Sequence, residues 1–129
     1  IKVIFGHSHE VLSCSDISIL ASGTASLEAA LFKKPMIIIY RMSWLSWFLL
    51  NRMHLISYIG LPNILLDRFA VPELIQNNAQ PNNIAYKVLE LLSDKKYLNE
   101  LKNDFTKLHK KLKRDTSSLI INQIHRYLK

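Results

Sequence analysis

The stretch Pro35-Met36-Ile37-Ile38-Ile39-Tyr40 leaves few folds open. Four consecutive large apolar side chains leave no polar face, so a strand made of them must be covered on both sides. Sheets of that kind are parallel and flanked by helices. The preceding sequence has the matching rhythm. Residues 17–21 read as another strand, and residues 25–33 have helical length, with Leu27, Ala30 and Leu31 on one face. Lys33-Lys34 suits the negative carboxyl end of that helix, and Pro35 stops it. Strand, helix, strand in this order predicts a βαβ unit and an α/β fold. A strand is also expected at residues 2–5; a chain that opens inside an element, on Ile1 rather than Met, is expected to be a fragment.

Composition adds limits. The chain has 129 residues, 49% hydrophobic and 21% charged, which suits one globular domain and argues against disorder. A single cysteine, Cys14, excludes an internal disulfide and is expected as a small buried thiol beside Val11, Leu12 and Ile17. His7 and His9 stand two apart in an expected loop, without a third ligand nearby, so no metal site is predicted. The segment 43–56 is dense in Trp44, Leu45, Trp47, Phe48 and Leu49 but too short and interrupted to span a membrane.

The later chain reads as a loop at Gly60-Leu61-Pro62-Asn63, an apolar stretch Ile64-Leu65-Leu66, and a short helix opened by Val71-Pro72-Glu73. A helix starting at Pro81 places Ile84, Val88, Leu91 and Leu92 on one side. Residues 95–112 carry a three-four stripe of Leu98, Leu101, Phe105, Leu108 and Leu112. A last helix is expected over 116–128. The charge of +7 is concentrated at this end: residues 94–129 hold ten of the seventeen Lys and Arg and four of the ten Asp and Glu. The expected division is an α/β part, 1–93, and a basic helical extension, 94–129. Lys107, Lys110, Lys111, Lys113 and Arg114 fit a solvated face or a contact with anionic phospholipid. No motif that reads nucleic acid is present.

The chemistry concentrates in Ala21-Ser22-Gly23-Thr24-Ala25-Ser26-Leu27-Glu28. A buried strand runs through a small-residue turn straight into a helix. Gly23 permits close approach to the backbone. The free N–H groups and positive dipole at the helix start make a place for phosphate. Glu28, one turn past Thr24, points along the same side and could accept from the two hydroxyls of a ribose. A capped helix with no ligand explains Ser22-Gly23-Thr24 equally well.

Taken together with Pro35–Arg41, Leu61-Pro62-Asn63 and Val71-Pro72-Glu73-Leu74-Ile75-Gln76, this stretch resembles lipid-A-disaccharide synthase, with four motifs in the same order and spacing. The resemblance implies the carboxyl-terminal, donor-binding part of a GT-B glycosyltransferase: a partial Rossmann-like domain with a parallel sheet, flanking helices and a helical tail. It implies transfer of 2,3-diacylglucosamine from UDP-2,3-diacylglucosamine to 2,3-diacylglucosamine 1-phosphate. The β-1′,6 linkage would form with inversion, release UDP and need no metal or other cofactor. Ser22, Gly23, Thr24, Ala25 and Ser26 would hold the UDP pyrophosphate and Glu28 the ribose. Asn63 would face the same cleft from its loop, with Glu73 and Gln76 near the donor. The catalytic base is expected in an amino-terminal domain that this chain lacks, so the chain alone is expected to bind UDP weakly without turnover.

Two features stay open. Arg41, at a strand end, could offset charge on the departing diphosphate or form an ordinary surface contact. Trp44, Trp47 and Phe48 share a helical face that could meet lipid or acyl chains, with Leu45, Leu49 and Ile56 on the face packed against the sheet. The resemblance places such an enzyme in the cytoplasm, peripheral on the inner face of the inner membrane, in some members as a homodimer with exchanged carboxyl-terminal segments. A different GT-B enzyme, such as a UDP-sugar epimerase, would share the small-residue turn but not the later motifs. A helical self-association module is the non-enzyme alternative.

Overall fold

The computed structural model describes the backbone of residues 1–53 and 57–113, and the side chains of 1–48 and 57–113. The expected helix over 116–128 lies outside the described residues. The described elements are α1 (Ser8–Cys14), β1 (Ser18–Ala21), α2 (Thr24–Leu31), β2 (Met36–Tyr40), α3 (Trp44–Met53), α4 (Leu61–Leu66), β3 (Glu73–Ile75), a 3-10 turn (Gln76–Asn78), α5 (Pro81–Ser93) and α6 (Lys95–Leu112).

The apolar run behaves as its chemistry requires. β2 is the middle strand, parallel to β1 on one side and to β3 on the other. Met36, Ile37 and Ile38 are fully buried. Ser18 stands opposite Met36 and Ala21 opposite Ile39; Glu73 stands opposite Ile38 and Ile75 opposite Tyr40. The fold is α/β, a three-stranded parallel sheet flanked by helices.

α2 ends at Leu31, two residues before the expected limit, because Lys33 adopts a left-handed conformation (φ 59°) and turns the chain toward β2. The Lys33 ammonium donates to the Leu31 carbonyl at 3.3 Å, so the cation does meet the carboxyl end of the helix. α6 lays Leu101, Phe105 and Leu108 into the core that holds Ala29, Ala30, Met36 and Ile38. Its start is fixed by Asp94, whose side chain accepts from the Tyr97 amide at 2.9 Å. The Tyr97 hydroxyl donates to the Ala70 carbonyl at 2.8 Å, and burial pushes its pKa up to about 12 against the opposing pull of Arg68.

Several expectations need correction. Residues 2–5 form no strand; Val3, Ile4 and Phe5 are exposed. Strand-forming side chains need a neighbouring ladder, and none of the described strands pairs with this segment. Cys14 is exposed, because Leu12 is the α1 side chain turned to the core. His9 lies in α1 rather than a loop. Val71-Pro72-Glu73 leads into β3, not a helix: the free edge of β2 captures it, with the Ile38 amide donating to the Pro72 carbonyl at 2.9 Å. Leu61-Pro62-Asn63 and the apolar residues after it form one helix, α4, with proline in its first turn. Leu92, expected on the packed side of α5, is 41% exposed, while Leu91 is the buried member.

Candidate functional site

The carboxyl ends of parallel strands are where α/β sheets bind ligands, because the turns into the next helices splay apart there. β1 ends at Ala21, and Ser22-Gly23 turns the chain into α2. Gly23 has φ 148° and ψ −164°, a conformation side-chain-bearing residues rarely adopt. A Cβ at this position would meet nothing within 4 Å, so the backbone angle excludes other residues, and the space above it is open.

The turn is shaped from beneath by Ser26. Its fully buried hydroxyl donates to the Gly23 carbonyl at 2.6 Å, and its amide donates to the same oxygen at 3.1 Å. Ser26 is therefore occupied inside the turn. The Thr24 and Ala25 amides, at the exposed start of α2, donate to no described residue. Two outward N–H groups at a positive helix end are what an anionic oxygen requires. Glu28 follows on α2, half-exposed, its Oε2 3.5 Å from His9 Nε2.

The other motifs meet this turn through one connected set of hydrogen bonds. The Ser22 hydroxyl donates to the Ile59 carbonyl at 2.9 Å. The Ile59 and Gly60 amides donate to the two Glu73 carboxylate oxygens, each at 2.9 Å. The Asn63 amide donates to Glu73 Oε1 at 2.7 Å and to the Val71 carbonyl at 2.8 Å. Asn63 Oδ1 accepts from the Ala70 and Val71 amides, both at 2.8 Å. Asn63 is thus not a cleft-facing loop residue. It is fully buried in α4, where backbone groups of the following segment use every polar atom it has. Gly60 lets the backbone pass close to the Ile38 terminal methyl and Glu73 Oε1; a larger residue there would require the Ile38 side chain to shift.

Gln76 acts similarly at the end of β2. Its side-chain oxygen accepts from the Met42 amide at 2.9 Å, and its side-chain nitrogen donates to the Met42 carbonyl at 3.1 Å. Arg41 is exposed and donates to the Ala79 carbonyl at 2.9 Å. Ala21, Ile39, Tyr40, Arg41 and Ala79 line an open cavity of about 430 Å³ at this end of the sheet. Its wall begins one residue before Ser22.

On α3, Trp44 and Phe48 stack at 5.9 Å between ring centroids and are 74% and 52% exposed; Trp47 is half-buried. Leu45, expected on the packed face, is 72% exposed. The side chains of Leu49 and Ile56 lie outside the described residues. No helix of the described residues is long and apolar enough to cross a membrane, and no cluster of three metal-ligating side chains occurs among them.

Sequence reasoning missed Ile59, Gly60 and His9. Ile59 contributes through its backbone, which leaves no residue-type signal, and His9 reaches Glu28 only through packing of α1 beside α2.

The sequence model of the family described as lipid-A-disaccharide synthetase matches residues 1–125. Among curated proteins, the lipid-A-disaccharide synthase of Methylobacillus flagellatus is 43% identical over 129 residues, all of this chain and 34% of that protein. That of Albidiferax ferrireducens is 46% identical over 99% of the chain and 34% of its own length. That of Dechloromonas aromatica is 42% identical over 90% of the chain and 30% of its length. The chain spans about a third of the curated relatives it matches. With an α/β sheet, a small-residue turn and a whole-chain match in agreement, this chain belongs to the lipid-A-disaccharide synthase family.

Proposed function

We propose that this chain is the donor-binding part of a glycosyltransferase of lipid A biosynthesis, holding the UDP of UDP-2,3-diacylglucosamine. The observation that carries the reading is the open corner at Gly23, where the Thr24 and Ala25 amides have no acceptor among the described residues and Glu28 stands one turn away. In this reading the two amides bind the pyrophosphate, Ser22 and Gly23 form its floor, and Ser26 keeps the floor in shape. Glu28 takes the ribose hydroxyls. Arg41, at the mouth of the adjoining cavity, exchanges its Ala79 carbonyl for the diphosphate charge that grows as the glycosidic bond breaks. Asn63, Glu73 and Gln76 serve the site by fixing the backbone around it.

The acceptor would be 2,3-diacylglucosamine 1-phosphate, with inversion at the transferred sugar in a two-domain GT-B cleft and the base supplied from outside this chain. The direct test is calorimetric titration of the chain with UDP. Saturable binding is expected, and Glu28→Ala should weaken it about 10- to 100-fold, the loss of a charged acceptor to a sugar diol. No saturation with UDP would overturn the reading.

Acylated substrates also give the exposed aromatic face of α3 a use. We propose that Trp44 and Phe48 rest in the lipid interface at the cytoplasmic face of the inner membrane. The double substitution Trp44→Ser, Phe48→Ser should leave circular dichroism unchanged and reduce co-flotation with anionic liposomes severalfold. Equal flotation of the folded variant would remove the membrane contact.

A further inference from the structure

His9 has no part in the donor site as assembled so far, yet its ring is held from two directions. On one side Nε2 lies 3.5 Å from Glu28 Oε2. On the other, the ring packs on Phe32 at 5.5 Å between centroids, tilted by 52°. Phe32 closes α2 one turn past Glu28, so acid, imidazole and benzyl ring form one short row along the carboxyl-terminal half of the helix that starts at Gly23. The neighbouring His7 is engaged differently, with Nδ1 3.3 Å from Glu10 Oε1. Glu10 therefore occupies His7 and leaves His9 to Glu28.

A solvent-facing glutamate samples several rotamers, and a carboxylate that must accept from two vicinal hydroxyls needs one of them. An imidazole within ion-pair distance of one oxygen, itself packed on an aromatic ring, narrows that choice. It also leaves Oε1 and the second lone pair of Oε2 available. Both side chains remain accessible, His9 at 66% and Glu28 at 41% exposure, so a ligand can reach the pair without displacing core residues.

Resting on the nucleotide reading above, we infer that His9 is a positioning residue, orienting the Glu28 carboxylate for the diol of the bound ribose. Phe32 holds the imidazole in the orientation this requires.

The test compares UDP with 2′,3′-dideoxy-UDP, which keeps base and diphosphate and lacks the diol. His9→Ala should weaken UDP binding about two- to fivefold, the size of an exposed charge contact, and leave the dideoxy analogue unchanged. His9→Gln, which restores an N–H donor, should recover most of the loss. In the Glu28→Ala background, His9→Ala should have no further effect on UDP. Equal losses for both nucleotides, or no loss in His9→Ala while Glu28→Ala still weakens UDP, would overturn the positioning role and leave the nucleotide site standing. If Glu28→Ala itself leaves UDP binding unchanged, the ribose assignment fails and the role of His9 falls with it.

Discussion

Asn63→Leu should cost about 4 kcal/mol of stability or more, read as a lowered urea midpoint with an unchanged slope. Leucine keeps the branched heavy-atom skeleton and adds only the bulk of hydrogens, so most of the loss comes from polar groups left without partners. The Ala70 and Val71 amides and the Val71 carbonyl all depend on the Asn63 side chain, and Asn63 is wholly shielded from water. Each buried group stranded this way costs on the order of 1–3 kcal/mol, and the values do not add fully. Asn63→Asp discriminates further. It keeps the acceptor for the two amides but sets a carboxylate against Glu73 Oε1, where the amide now donates. A loss as large as that of the leucine variant is expected. If both variants fell within about 1 kcal/mol of the parent, typical of surface substitutions, the network would not be the framework described.

Phe105→Ala should have an effect of similar size, about 3–5 kcal/mol, the usual cost of emptying an aromatic site in a packed core. Phe105 has no exposure and lies in the core with Leu101, Leu108, Met36 and Ala29, so the change removes a main anchor of α6 in that core. Domains of this size have total stabilities of about 5–15 kcal/mol, so the variant should be partly unfolded at 37 °C. Phe105→Leu should lose less than half as much, because it keeps most of the volume. A small loss in Phe105→Ala would mean that α6 is not seated in the core.

The two residues also mark where sequence reading succeeds and fails. Phe105 was legible: a three-four stripe along α6 depends only on helix geometry, and the same holds for the apolar run in β2 and the helix between the paired strands. Asn63 was misread because Gly60-Leu61-Pro62-Asn63 carries turn chemistry. Its fate was decided by the Ala70 and Val71 backbone groups, seven and eight residues later, and by the Glu73 carboxylate, all of which needed a partner. Val71-Pro72-Glu73 was misread for a related reason. Proline followed by glutamate imitates a helix start, whereas the open edge of β2, distant in sequence, drew the segment into the sheet. The strand-turn-helix at Gly23 was legible because a buried strand, a small-residue turn and a helix start are all local features. The Ser22–Ile59 and His9–Glu28 contacts were not, since neither exists before the chain packs.

The hydrogen bond from Ser22 to Ile59, continued through Glu73 to Asn63, bears on recognition as well as on stability. On the proposed nucleotide reading it makes the corner preorganised: the amides would face outward before any nucleotide arrives, so association would lose little conformational entropy in the protein. Affinity at the corner is thereby coupled to residues that never touch a ligand. Loosening Glu73 would weaken capture mainly by letting the loop fluctuate, a change visible in amide exchange while every contacting group is still in place.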